Sequence, residues 1–127
     1  MRIDPGRRAE CLTRFEAGDP MFVGHFPDNP LVPGVILTEA LAQSAGIAAA
    51  SGFVESERPF FLLSAIRGMK FYAAARPGDV IRLVAEKLAQ VGDLWQFQTQ
   101  ASVGEIIVAQ GQLVLNQTRE SSPPTLE

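Results

Sequence analysis

The sequence predicts an α+β fold in which a curved antiparallel sheet wraps around one long apolar helix. Three observations carry the prediction. A single helical stretch opens at Pro33-Gly34 and holds one charged residue; most of the chain beyond residue 59 alternates with period two; and glycine-bearing turns separate the alternating runs at hairpin spacing. With 127 residues, 46% of them hydrophobic, the chain is the size of one domain with a real core. That domain is expected over residues 1–117, with a disordered Ser- and Pro-rich tail at 118–127.

From the N-terminus, residues 7–16 alternate as a strand, in which Cys11 takes its place with Ala9 and Thr13 as a packing residue, and Ala17-Gly18-Asp19-Pro20 ends it. Residues 21–33 read as an ordered loop. The helix then runs to about Ser51 or Gly52, where glycine supplies a stop. Val35, Ile36, Leu37, Leu41 and Ile47 spread around its wheel with alanines between them, so it lacks a solvated face and must be enclosed on most sides. After a polar loop at 55–59, strands are expected at 60–66 and 68–74. Arg76-Pro77-Gly78-Asp79 makes a turn, 80–90 forms a long strand, and Val91-Gly92-Asp93 turns into a strand from Leu94. A last strand covers much of 105–115. Consecutive hairpin-connected strands make an antiparallel sheet with one apolar face, and the apolar helix is the natural cover for it. This is a hot-dog architecture, and its open sheet edge favours at least a dimer.

Composition excludes several function classes. A net charge of −3 with scattered Lys and Arg gives no footprint for nucleic acid. One cysteine and one histidine are too few for a Cys/His metal site and exclude an internal disulfide. No apolar leader is visible at the start, and the longest apolar stretch, 31–54, carries Glu39 and Gln43 near its middle. It therefore reads as a buried helix of a cytoplasmic protein rather than a membrane span.

The candidate chemistry sits in Gly24-His25-Phe26-Pro27, which leads through Pro30 and Pro33-Gly34 into the helix and Glu39-Ala40-Leu41-Ala42-Gln43. An isolated histidine is more often a surface or satisfied core residue. Three nearby prolines, each fixing a backbone φ, stiffen this one's setting beyond what a connecting loop needs. Glu39 is the lone charge in about four helical turns, so a solvated face is a poor account of it. Among Ile36, Leu41 and alanines its carboxyl loses hydration, which favours the protonated form, while His25 can serve as a neutral base. An acid and a base result. Gln43, one turn on, either orients that carboxyl or makes an ordinary polar contact at the helix surface. The N–H groups of Gly34 and Val35 at the helix start either polarise a substrate carbonyl or merely begin the helix.

The string Gly-His-Phe-Pro-x-x-Pro-x-x-Pro-Gly-Val from Gly24 to Val35, followed by Glu-Ala-Leu-Ala-Gln from Glu39, resembles the 3-hydroxyacyl-[acyl-carrier-protein] dehydratases of type II fatty acid synthesis, the FabZ type. Segments at 59–71 and 76–79 carry the likeness through roughly residues 5 to 117. The resemblance implies a hot-dog dimer, often assembled as a trimer of dimers, with His25 of one protomer facing Glu39 of the other. It implies a (3R)-hydroxyacyl substrate on acyl carrier protein, in fatty acid, lipid, polyketide or polyene synthesis, and no dissociable cofactor. His25 would take the C2 proton, the Gly34 N–H would hold the carbonyl oxygen, and Glu39 would help hydroxide leave as water. Phe26, Phe60 and Phe61 match a region that gates the acyl tunnel, and Arg67, Lys70 and Arg76 are candidate carrier-protein contacts. The family's Leu-Pro-His-Arg-like opening segment has no counterpart here, which bears on acyl-length preference and points to a specialised pathway. Two rivals remain: a hot-dog acyl thioesterase, which would release free thiol, and a non-catalytic module that binds acyl chains or a partner.

Overall fold

A computed structural model describes residues 1–20 and 30–119. The elements are β1 (Arg2–Asp4), β2 (Arg8–Thr13), α1 (Gly34–Ala50), a single 3-10 turn (Glu55–Glu57), β3 (Phe60–Phe71), β4 (Ile81–Val91), β5 (Leu94–Val103) and β6 (Ile106–Thr118). The six strands form one sheet in the order β1-β2-β4-β5-β6-β3, antiparallel at every junction. The expected helix-on-sheet architecture holds. β1, too short to show a period, is an addition to the sequence expectation, and Thr118 still pairs with Phe60 one residue past the expected end of the domain.

Helix α1 packs one face onto the sheet through Leu37, Leu41, Ala45 and Ala48, spaced at three and four residues, all buried. They meet an inner sheet face made of alternate residues: Ile81, Leu83 and Ala85 on β4, Phe97 and Ala101 on β5, Leu113 and Leu115 on β6. Burial of each large apolar side chain here contributes about 1.5–3 kcal/mol. Two buried hydroxyls on this helix satisfy themselves: Thr38 donates to the Gly34 carbonyl at 2.8 Å and Ser44 to the Ala40 carbonyl at 3.0 Å. Cys11 is buried beside Ala9, as a packing residue should be.

Both helix ends are fixed. The Val32 N–H donates to the Ala75 carbonyl at 2.8 Å, which ties the approach to α1 onto the β3–β4 connection. At the other end the Gly6 N–H is shared between the Ala48 carbonyl at 3.0 Å and Ser51 Oγ at 3.2 Å. The two-residue turns joining β4 to β5 and β5 to β6 begin with Gly92 and Gly104, both at φ 58°, a conformation that favours glycine. On the outer face Arg82 Nε donates to Glu10 Oε1 at 2.6 Å and Arg8 Nη1 to Glu10 Oε2 at 3.3 Å. These two bonds, that of Arg82 foremost, pull the Glu10 carboxyl from 4.5 down to about 2.

The strands expected at 60–66 and 68–74 are one strand, β3, and the reason lies in its register. Pairing with β6 slips between Leu63 and Ala65 and again between Arg67 and Lys70, where Gly68 takes φ 59°. Each bulge shifts the parity of the strand by one residue. The inward side chains are therefore Phe61, Leu63, Ile66, Met69 and Phe71, spaced 2, 3, 3, 2, all bordering one cavity. Strict alternation from Phe61 would have turned Arg67 inward. Gly111 makes the second bulge possible: a Cβ there would sit 2.6 Å from Met69 Cα.

Candidate active site

The surface of α1 turned away from its own sheet carries Val35, Glu39, Gln43 and Ile47, all exposed in the single chain. This corrects the expectation of a buried carboxyl on a helix enclosed all round. Glu39 lies on a stripe of residues four apart that the six strands leave uncovered. Val35 on the same stripe is 78% exposed, and across the gap on β3 Ile66 and Phe71 are each 51% exposed. Exposed apolar side chains therefore stand on both sides of the gap beside this carboxylate.

Between that stripe and β3 runs a cavity of about 820 Å³. The helix contributes Gly34, Val35, Thr38, Glu39, Ala42, Gln43 and Gly46; β3 contributes its five inward side chains; Leu115 of β6 completes the lining. Glu39 is the only ionisable group among these, and it makes no hydrogen bond or ion pair among the described residues. The cavity has a direction. Phe71 lies against the start of α1, where a Cβ on Gly34 would come within 2.8 Å of Phe71 Cζ, and Phe61 lies at the far end against Phe53, beyond the helix C-terminus.

Gly34 and Val35 precede the first intrahelical donors, since the Pro33 carbonyl accepts from the N–H groups of Ile36 and Leu37. Neither Gly34 nor Val35 donates its N–H to a protein acceptor among the described residues. Two N–H groups at the positive end of α1 therefore stand beside the cavity mouth, suited to a polarised carbonyl oxygen.

The structure thus brings Gly34, Val35, Glu39, Gln43 and Phe61 to one cavity. His25 and Phe26 lie outside the described residues. Phe60 does not belong here: it borders no part of the cavity and is 47% exposed, because its neighbour Phe61 takes the inward position in the period-two stretch before the first bulge. Phe61 borders the cavity and packs edge-on against Trp95, with ring centroids 5.2 Å apart. Arg67 and Lys70, paired with Gln112 and Gln110, share a shallow recess on the outer face with Tyr72 and Gln98. Arg76 sits in the β3–β4 turn, its N–H donating to Asp79 Oδ2 at 2.9 Å. Sequence reasoning missed Leu63, Ile66, Met69 and Phe71 as cavity wall. Their signal was present only as apolar residues at uneven spacing around Ser64 and Gly68. Among the described residues no helix is long and apolar enough to cross a membrane.

Comparison with known proteins gives a consistent result. The family model of ApeI-like proteins, described as ApeI dehydratase, matches residues 3–112. The 3-hydroxyacyl-[acyl-carrier-protein] dehydratase FabZ of Ruminiclostridium cellulolyticum is 34% identical over 119 residues, 94% of this chain and 83% of that protein. The FabZ of Acetivibrio thermocellus is 36% identical over 113 residues, covering 89% and 77%. Among solved structures, the dehydratase heterocomplex ApeI:P from Xenorhabdus doucetiae is similar with TM-score 0.67 and 23% identity, over 87% of this chain and 88% of that one. The fluoroacetyl-CoA thioesterase FlK reaches TM-score 0.73 at 18% identity over 94% and 89%, a likeness of fold.

Proposed function

This chain belongs to the ApeI-like dehydratase family, and from that premise we propose that it removes water from a (3R)-hydroxyacyl group carried on acyl carrier protein, giving the trans-2-enoyl thioester. The observation that carries the reading is a carboxylate facing an apolar cavity beside two helix-start N–H groups that have no acceptor among the described residues, in a string that resembles the dehydratases'. The thioester carbonyl oxygen would accept hydrogen bonds from the Gly34 and Val35 N–H groups. Charge developing on that oxygen makes the C2 proton removable, and His25 would take it. The C2–H electrons then form the C2=C3 bond while the C3–O bond breaks, and Glu39, protonated, gives its proton to the departing hydroxide. Gln43 stands one turn along on the same stripe to orient the carboxyl. A donor of the Gly34 kind supplies about 2.7–4 kcal/mol in acyl-transfer enzymes.

The side chain of Glu39 is exposed in one chain, so its site lacks a wall on that side. We propose that a second copy supplies it. Among the described residues β3 is a twelve-residue edge strand paired on one side only, carrying exposed Leu63, Ile66 and Phe71. Antiparallel pairing of two such edges would cover both apolar stripes at once and place each Glu39 in a site completed by its partner. A carrier-protein-bound substrate would suit a cytoplasmic enzyme. Arg67 and Lys70 on the outer face are the cations offered to an acidic carrier protein.

The test is the fate of a 3-hydroxyacyl carrier-protein thioester, followed by enoyl absorbance and by a thiol reagent together. Enoyl product without free thiol is the expected result. Free thiol without enoyl product would replace this reading with thioester hydrolysis, and neither signal would indicate a binding module.

A further inference from the structure

We infer that Thr38 accepts the O–H of the substrate's own 3-hydroxyl and thereby selects the 3-hydroxyacyl group; the inference rests on the dehydratase reading above. Thr38 lines the cavity one turn after Gly34 and next to Glu39, and it is only 8% exposed. Its single hydroxyl proton is committed, since Oγ1 donates to the Gly34 carbonyl at 2.8 Å. A hydroxyl has one donor and two acceptor lone pairs, so what Oγ1 keeps for a ligand is acceptor capacity alone. The same bond draws Oγ1 back along the helix toward Gly34, the end of the cavity where the Gly34 and Val35 N–H groups stand.

The reaction needs such an acceptor. A thioester carbonyl held at Gly34 places the 3-hydroxyl two carbons further on, beside Thr38 and Glu39. Protonated Glu39 donates to the oxygen of that hydroxyl. The hydroxyl's own O–H then needs a partner, because leaving it unpaired among apolar side chains is costly. Among the described lining residues only Thr38, Glu39 and Gln43 carry a side-chain oxygen or nitrogen. One carboxyl group cannot straighten both a donated and an accepted bond to the same hydroxyl, and Gln43 is exposed a further turn along the helix. Thr38 is therefore the acceptor at the carbonyl end. When the C3–O bond breaks, the departing water takes one proton from Glu39 and keeps its own. Ser44 supplies the contrast: it is buried on the same helix and donates to the Ala40 carbonyl at 3.0 Å, but it does not border the cavity. A hydroxyl that only satisfies itself on the helix would behave as Ser44 does.

The experiment compares wild type, Thr38→Val, Thr38→Ser and Ser44→Ala with a 3-hydroxyacyl carrier-protein thioester and, in the hydration direction, with the matching trans-2-enoyl thioester. Thr38→Val keeps the shape of the side chain and removes the acceptor. Its KM for the hydroxyacyl substrate should rise about tenfold, while its KM for the enoyl substrate, which has no hydroxyl, stays within about twofold of wild type. Thr38→Ser should recover the wild-type values, and Ser44→Ala should leave both KM values unchanged. Should Thr38→Val fail to fold, as judged by circular dichroism, Thr38→Ala carries the same test on the residue best suited to a helix. Two KM values that stay unchanged or rise together in the folded variant, or a Thr38→Ser protein no better than Thr38→Val, would overturn the role of Thr38 and leave the dehydratase reading standing. Absence of enoyl product from the wild-type protein would overturn both.

Discussion

Replacing Gly111 by alanine should damage the protein from the middle of a strand whose own conformation alanine can adopt. The Cβ would lie 2.6 Å from Met69 Cα and 3.0 Å from Met69 N, against an ordinary contact of at least 3.4 Å. What must yield is therefore the backbone of β3 rather than the tip of a side chain, by roughly 0.8 Å for normal packing. Forced overpacking costs about 1–3 kcal/mol, and a displaced hydrogen-bonded strand places this case near 3. With a urea slope of about 2 kcal/mol/M, the unfolding midpoint should fall by about 1.5 M. Gly68→Ala is the informative comparison, since Gly68 has φ 59° but open space around it. There only the left-handed backbone is strained, at a cost of about 1–2 kcal/mol. A Gly111→Ala midpoint within about 0.3 M of wild type would refute the claim that this glycine makes room for the β3 bulge.

Two further predictions concern charge and the cavity mouth. The Glu10 carboxyl is held at about 2, chiefly by the Arg82 hydrogen bond, so the stability it contributes is complete above its ordinary value near 4.5 and is lost as pH falls toward 2. Wild type should accordingly be more stable than Glu10→Gln at neutral pH, with the two converging near pH 2 in thermal melts; a constant difference across that range would contradict the pairing. For Gly34→Ala, the new Cβ would meet the far end of the exposed Phe71 ring, 2.8 Å away, which can swing aside. The fold should hold within about 1 kcal/mol while kcat/KM falls about 10–100-fold as the ring crowds the carbonyl site; unchanged kcat/KM in a folded variant would remove Gly34 from that role.

The parts of this molecule that are legible in the sequence are those governed by local rules. The start of α1 after Pro33 depends on a preset φ, the hairpins at Gly92 and Gly104 on left-handed glycines, and the buried stripes of β4 and β5 on strict alternation. β3 reads as two strands because its bulges at Ser64 and Gly68 replace a period of two with an uneven spacing that no short window detects. The residues of the candidate site are legible by type, since one carboxylate on an apolar helix is conspicuous. The setting of Glu39 is not. Whether a helical residue is enclosed depends on how far a sheet curves around it, and here the curvature stops short of the stripe holding Val35, Glu39 and Gln43. Phe60 and Phe61 are equally apolar, and only the register with β6 decides which of them faces the cavity.

The central claim is that Glu39 supplies the proton that carries off the hydroxyl. Its most direct test is the rate of enoyl formation from a 3-hydroxyacyl carrier-protein thioester by wild type and by Glu39→Gln, a variant that keeps the shape of the side chain and removes its acid. The account predicts a rate lower by about 10²–10⁴-fold with the melting temperature unchanged. A Glu39→Gln protein that forms enoyl product at the wild-type rate would contradict it.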